Sequence, residues 1–179
     1  DENLRELKLR DPRINGRNCL TNGVDLDYFA FEPPAAVPEG VCFVGKLDHY
    51  PNQDAAVNFA AGVWPRIRSI HPSARYFVVG SQPPPPVLEL ARDPSIIVTG
   101  KVEDVRPFLR RAGVAVIPLR MGGGILNKVL EAMALGVPVV ARSIATHGLK
   151  AKAGEDLFVC DDDTSFAQAV ERLLADPQL

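Results

Sequence analysis

Cysteine, histidine and net charge are all scarce in this chain. The three cysteines, Cys19, Cys42 and Cys160, are far apart, odd in number and free of CxxC spacing. That excludes a disulfide framework and a thiolate zinc site, and they read as free thiols in a reducing compartment. His49, His71 and His147 are equally scattered and form no metal pattern. A net charge of −2 offers no electrostatic footprint for nucleic acid. No apolar run approaches the length that spans a bilayer. A P-loop, GxxxxGK[ST], is absent. The dinucleotide fingerprint is absent too, because Gly45 is followed by KLDHYPN with no second glycine. Asp1 is not an initiator methionine and no signal sequence follows it, so the chain reads as a cytoplasmic piece of a longer protein.

What is present is an ordinary globular composition. The 179 residues are 46% hydrophobic and 23% charged, enough for one domain with a substantial core. Residues 1–40 read as an N-terminal segment and entrance loop of that domain, with a short helix over 2–10 and a short strand over 18–21 ending at the Asn22-Gly23 turn. Residues 41–179 form its body. Strands are expected at 41–45, 75–79, 95–99, 115–119, 137–141 and 157–160. Helices are expected at 51–70 (bent near 62–65), 87–92, from Asp104 as N-cap to 112, at 125–135 and at 164–175. Residues 83–86, all proline, are expected to be extended. Asp163 or Thr164 is the expected cap of the last helix. Such alternation implies an α/β fold, a Rossmann-like parallel sheet covered by helices on both faces.

The densest stretch is residues 115–141. Gly122, Gly123 and Gly124 separate a buried strand from a helix on which Ile125, Leu126, Val129, Leu130 and Met133 share a sector of about 140°. Asn127, Lys128 and Glu131 fall on the opposite face, and Gly136 and Pro138 end the helix. A glycine turn into a helix start suits an anion: free N–H groups, a favourable dipole and no side chains in the way. Lys128 adds a cation about one turn in, and Glu131 is placed to accept from a sugar hydroxyl. The same turn also fits a purely structural role, with Lys128 and Glu131 as an exposed i,i+3 ion pair.

Parallel sheets place ligands at the carboxyl ends of their strands, where strand order switches. Gly45-Lys46, Gly80-Ser81, Gly100-Lys101 and residues 120–124 all follow strand ends and converge on one rim. A nucleotide-sized ligand fits that rim.

These residues carry a resemblance. Asn22-Gly23-Val24-Asp25 with Phe29, Phe43-Val44-Gly45-Lys46, Thr99-Gly100-Lys101-Val102-Glu103-Asp104 and Lys128-Val129-Leu130-Glu131-Ala132-Met133-Ala134 occur in an order that resembles the C-terminal, donor-binding half of group 1 retaining glycosyltransferases of GT-B fold. The variant GGGILNKVLEAMA, with Tyr50-Pro51-Asn52, resembles sugar transferases of exosortase-linked exopolysaccharide clusters. The resemblance implies a metal-independent enzyme without a cofactor. It would move a sugar from a UDP- or GDP-sugar donor to a polysaccharide, lipid or similar acceptor held by the N-terminal half of the full-length chain. By position, Glu131 matches the acid on the ribose hydroxyls and Lys46 the cation facing the diphosphate; these two are the catalytic candidates. Gly45, the backbone of Gly123, Gly124 and Ile125, and Lys128 match the donor's phosphate surroundings. Lys101 and Val102 match the base-contacting loop. Any membrane-peripheral contact would belong to the other half, and an isolated domain is expected to be inactive.

Two departures stand out. The family carries an acid on the donor sugar at the position of Gly123, and a second basic residue a few positions after Lys46, where this chain reads Leu47-Asp48-His49-Tyr50-Pro51. His49 and Arg120 are the candidates to take over. A noncatalytic nucleotide- or partner-binding domain that kept the fold is the alternative, favoured by the missing acid. A nucleotide-sugar epimerase lacks its acid/base set here.

Overall fold

The computed structural model describes residues 9, 11, 22–33, 37–122 and 126–176. Apart from the isolated residues 9 and 11, the short helix and strand expected within residues 2–21 lie outside the described residues, as do the glycine-turn residues Gly123, Gly124 and Ile125.

Six apolar segments form a parallel sheet among the described residues, in the order β3-β2-β1-β4-β5-β6. These are β1 (Gly40–Val44), β2 (Arg75–Val79), β3 (Ile96–Gly100), β4 (Gly113–Ile117), β5 (Val139–Ala141) and β6 (Phe158–Val159). β1 runs in register with β2 from Gly40↔Arg75 to Val44↔Val79. It also pairs with β4 from Gly40↔Gly113 to Cys42↔Ala115. Strands this apolar bury both faces, as parallel sheets require. β4 stands two residues earlier than expected because its pairing begins at Gly113, directly after the preceding helix. Residues 118 and 119 stay buried past its end.

The helices cover the sheet. α1 (Tyr50–Asn58) passes through a wider π-helical turn (Phe59–Val63) into α2 (Trp64–Ile70), the bend expected from Gly62 and Pro65. Phe59 packs on Tyr76 and Phe166 at centroid distances of 4.8 and 5.8 Å, and Trp64 packs on Tyr76 at 5.7 Å. The four prolines are only half extended. Pro84 has φ −76° and ψ 166°, whereas Pro85 and Pro86 already open α3 (Pro85–Leu88), where the first turn tolerates a missing N–H.

α4 (Arg106–Ala112) starts at Val105 as cap rather than Asp104. Asp104 still serves that helix start: its carboxylate accepts from the Arg106 N–H at 2.9 Å and pairs with the same residue's guanidinium. α5 (Asn127–Ala134) closes in a Schellman turn. Val137 N–H bonds the Ala132 carbonyl, Gly136 N–H bonds that of Met133, and Gly136 takes φ +72°. α6 (Asp163–Ala175) is capped by Asp162, one residue before the expected position, through hydrogen bonds from the N–H groups of Thr164 and Ser165. No helix among the described residues is long and apolar enough to cross a membrane.

Candidate functional site

The chain leaves β1 in one direction along the sheet and β4 in the other, so a crevice opens between their carboxyl ends. A cleft of about 180 Å³ lies there. The loop after β1 contributes His49, the first turn of α1 contributes Pro51 and Asn52, the loop after β4 contributes Leu119, Met121 and Gly122, and the cap and first turn of α5 contribute Leu126 and Lys128. A larger hollow of about 290 Å³ sits at the opposite end of the sheet, between the residues leading into β5 and β6. It shares no residue with the expected site.

Asn52 organises the cleft. It is only 8% exposed. Its Nδ2 donates to the Lys46 carbonyl at 2.8 Å, and its Oδ1 accepts from Lys128 Nζ at 2.8 Å. The Lys128 ammonium also lies 4.6 Å from the centroid of the Phe43 ring, a cation–π arrangement. Lys128 is therefore no exposed i,i+3 partner of Glu131; its side chain is drawn inward toward β1. Burial pushes its pKa down to about 8, against a smaller opposing pull from Glu131. Glu131, half-buried one turn further along α5, has its pKa raised by burial, with Lys128 acting the other way.

The glycines after β1 and β2 permit this arrangement. A Cβ on Gly45 would stand 2.9 Å from Asn52 Cγ and 3.0 Å from Lys128 Nζ. One on Gly80 would overlap the Gly45 carbonyl. Both loops need bare backbone.

The remaining expected residues are spread along the rim. Lys46 is exposed and pairs with Asp48 at 3.1 Å. Lys101 is exposed and Val102 packs against the core, both beyond β3 at the edge of the sheet. Arg120 does not reach toward the cleft as a free cation. Its Nε and Nη2 grip Asp54 at 2.9 and 2.7 Å, fastening the loop after β4 to α1. His49 does line the cleft.

Sequence reading used Asn52 only as part of a family marker and missed its role. The available signal was an amide in the first turn of a helix, opposite a lysine on another. A second feature it missed is the strap of residues 22–33. Asn22 Nδ2 donates to Asn127 Oδ1 at the start of α5 (2.8 Å). Asp25 accepts from the Asp27 and Tyr28 N–H groups, closing a turn. Arg106 donates to the Tyr28 carbonyl and stacks 3.9 Å from its ring centroid, and Arg110 holds Glu32.

The family model for "Glycosyl transferases group 1" matches residues 38–176. An exopolysaccharide phosphotransferase of Streptomyces coelicolor is 29% identical over 161 residues, covering 82% of this chain and 17% of that protein. Among solved structures, a TarM variant of S. aureus in complex with UDP superposes with a TM-score of 0.69 at 13% identity, over 98% of this chain and 36% of its own. The C-terminal domain of LpcC, a group 1 family glycosyl transferase of Francisella tularensis, gives 0.66 at 18%, over 87% and 90%. At such identities the superpositions speak for the fold alone. The chain thus spans about a sixth of the Streptomyces relative and about a third of TarM. With a family match running from just before β1 to the end of α6, the chain belongs to the group 1 glycosyltransferases.

Proposed function

We propose that this chain is the nucleotide-sugar-binding half of a metal-independent, retaining glycosyltransferase. The observation that carries it is the switch-point cleft, where the start of α5 brings Lys128 through Asn52 against the Gly45-Lys46 loop, with Glu131 one turn further along the same helix. TarM, of the same fold, was solved with UDP, which supports a UDP- or GDP-sugar as donor. In this reading Glu131 accepts hydrogen bonds from the ribose. Lys46 and the amides of Gly123, Gly124 and Ile125 face the diphosphate, and Lys101 with Val102 lies toward the base. The departing diphosphate develops negative charge, and fixed cations and helix-start amides stabilise it where a metal would otherwise serve. The acceptor is a polysaccharide, lipid or similar molecule held by an N-terminal half of the full-length protein, and transfer requires both halves.

Calorimetric titration with UDP, GDP and ADP tests the donor site. One diphosphate should bind saturably, and Glu131→Ala should weaken it tenfold or more, roughly 1.4 kcal/mol. No binding at several millimolar by a folded chain would refute the donor site. A noncatalytic nucleotide- or partner-binding domain is the second reading, favoured by a glycine at 123, where the resemblance expects an acid, and by the pairing of Lys46 with Asp48. Binding without transfer by the full-length protein would decide for it.

A further inference from the structure

The cations near the cleft are not equivalent. Lys46 is solvated and paired with Asp48. Arg120 is held by both oxygens of Asp54. Lys128 is largely enclosed, and among the described residues no carboxylate stands within ion-pair distance of it. Its contacts are one neutral acceptor, Asn52 Oδ1, and the face of Phe43. An ammonium has three donors, so this one retains donor capacity, and the cleft opens on it. The neighbouring walls, Leu119, Met121, Leu126 and Ile144, are apolar. They keep the local dielectric low and strengthen any charge–charge contact made there.

A buried cation without a counter-ion costs stability unless an anion joins it. Asparagine at 52 orients the ammonium without neutralising it; an aspartate there would neutralise it permanently. Resting on the donor-site reading, we propose that Lys128, aimed by Asn52, is the principal anchor for the donor's diphosphate, ahead of the better-exposed Lys46.

A consequence is that anion binding and protonation are coupled. Burial leaves Lys128 with a pKa of about 8, and an anion beside it favours the charged form. Binding therefore weakens above pH 8, by up to tenfold per pH unit for one linked proton. The other charged or titratable groups around it are Glu131 on its own helix, His49 and the Lys46–Asp48 pair on the loop after β1, and Asp54 with Arg120. Variants at Lys128 separate its titration from theirs.

The test titrates the full chain with UDP, GDP and inorganic pyrophosphate at pH 7 and pH 9, alongside Lys128→Met, Lys46→Met and Asn52→Asp. Lys128→Met should weaken the bound diphosphate at least tenfold at pH 7 and abolish most of the pH dependence. Lys46→Met should cost less than threefold, and Asn52→Asp should weaken binding as well. The NMR titration midpoint of the Lys128 side chain in the unaltered protein should rise by a pH unit or more when the nucleotide is added, a readout that needs no variant. Unchanged binding by Lys128→Met, a larger loss at Lys46, or an unmoved midpoint under saturating nucleotide would overturn the anchor while leaving the donor site standing. Failure of the unaltered, folded chain to bind any diphosphate would overturn both.

Discussion

At the scale of single residues, the cost of holding Lys128 is measurable without any ligand. Its folded pKa of about 8 lies below the ordinary lysine value. Between the two, the unfolded chain binds a proton that the native chain does not, so stability rises with pH across that interval. Below about pH 8 the penalty is fully present. Thermal melts of the unaltered chain should therefore gain on those of Lys128→Met as pH goes from 8 to 10. At pH 7 the variant should melt no lower than its parent. Ser95 has the opposite character. It is 5% exposed, accepts from Trp64 Nε1 at 3.0 Å and donates to Asp93 at 2.7 Å. Ser95→Ala leaves the indole N–H unpaired and should destabilise the chain by about 1–3 kcal/mol in denaturant melts. Neither feature was legible in the sequence. A helical wheel sorts Lys128 by its own helix and places it on the polar face. The residues that enclose it, Phe43 and Asn52, come from other elements.

At the scale of elements, the sequence was readable wherever the chain itself carries the stop or start signal. Gly136 ends α5 at the expected place because only a residue at ease with positive φ completes that turn. β2 spans the expected residues because polar and proline-rich loops bound it. Capping was misread by one residue at both α4 and α6, where several acids stand together and only backbone geometry chooses among them. The choice at α6 is testable. Asp162→Ala should lower the melting midpoint at neutral pH, and Asp163→Ala should not cost the cap. The Ser165 hydroxyl first, and then the cap N–H groups, hold the Asp162 carboxyl below the usual carboxylate range, so its contribution is present above the unfolded pKa and fades as pH falls through the lowered one. Gly80→Ala, which drives a methyl into the Gly45 carbonyl, should destabilise by about 1–3 kcal/mol and also weaken diphosphate binding, since it displaces the loop that Asn52 holds.

At the scale of the whole molecule, alternation of strand and helix was enough to read the layered architecture. Strand order was not readable, because nothing local tells β1 to lie between β2 and β4. The strap across α4 was invisible for the same reason: its partners are far apart in the chain. If the proposed chemistry is right, sugar transfer by the full-length protein should persist in excess EDTA, and metal-dependent loss would count against it. The central position of β1 also governs how the chain is assembled. Each strand pair in the sheet is parallel, so none can close as a local hairpin, and every pairing waits for an intervening crossover. β1 has only one of its two partners until β4 has been synthesised, so a nascent chain halted before Gly113 exposes an apolar strand edge. Folding should be slow compared with helical proteins of this length, and the unpaired edge of β1 is where an arrested chain would first aggregate.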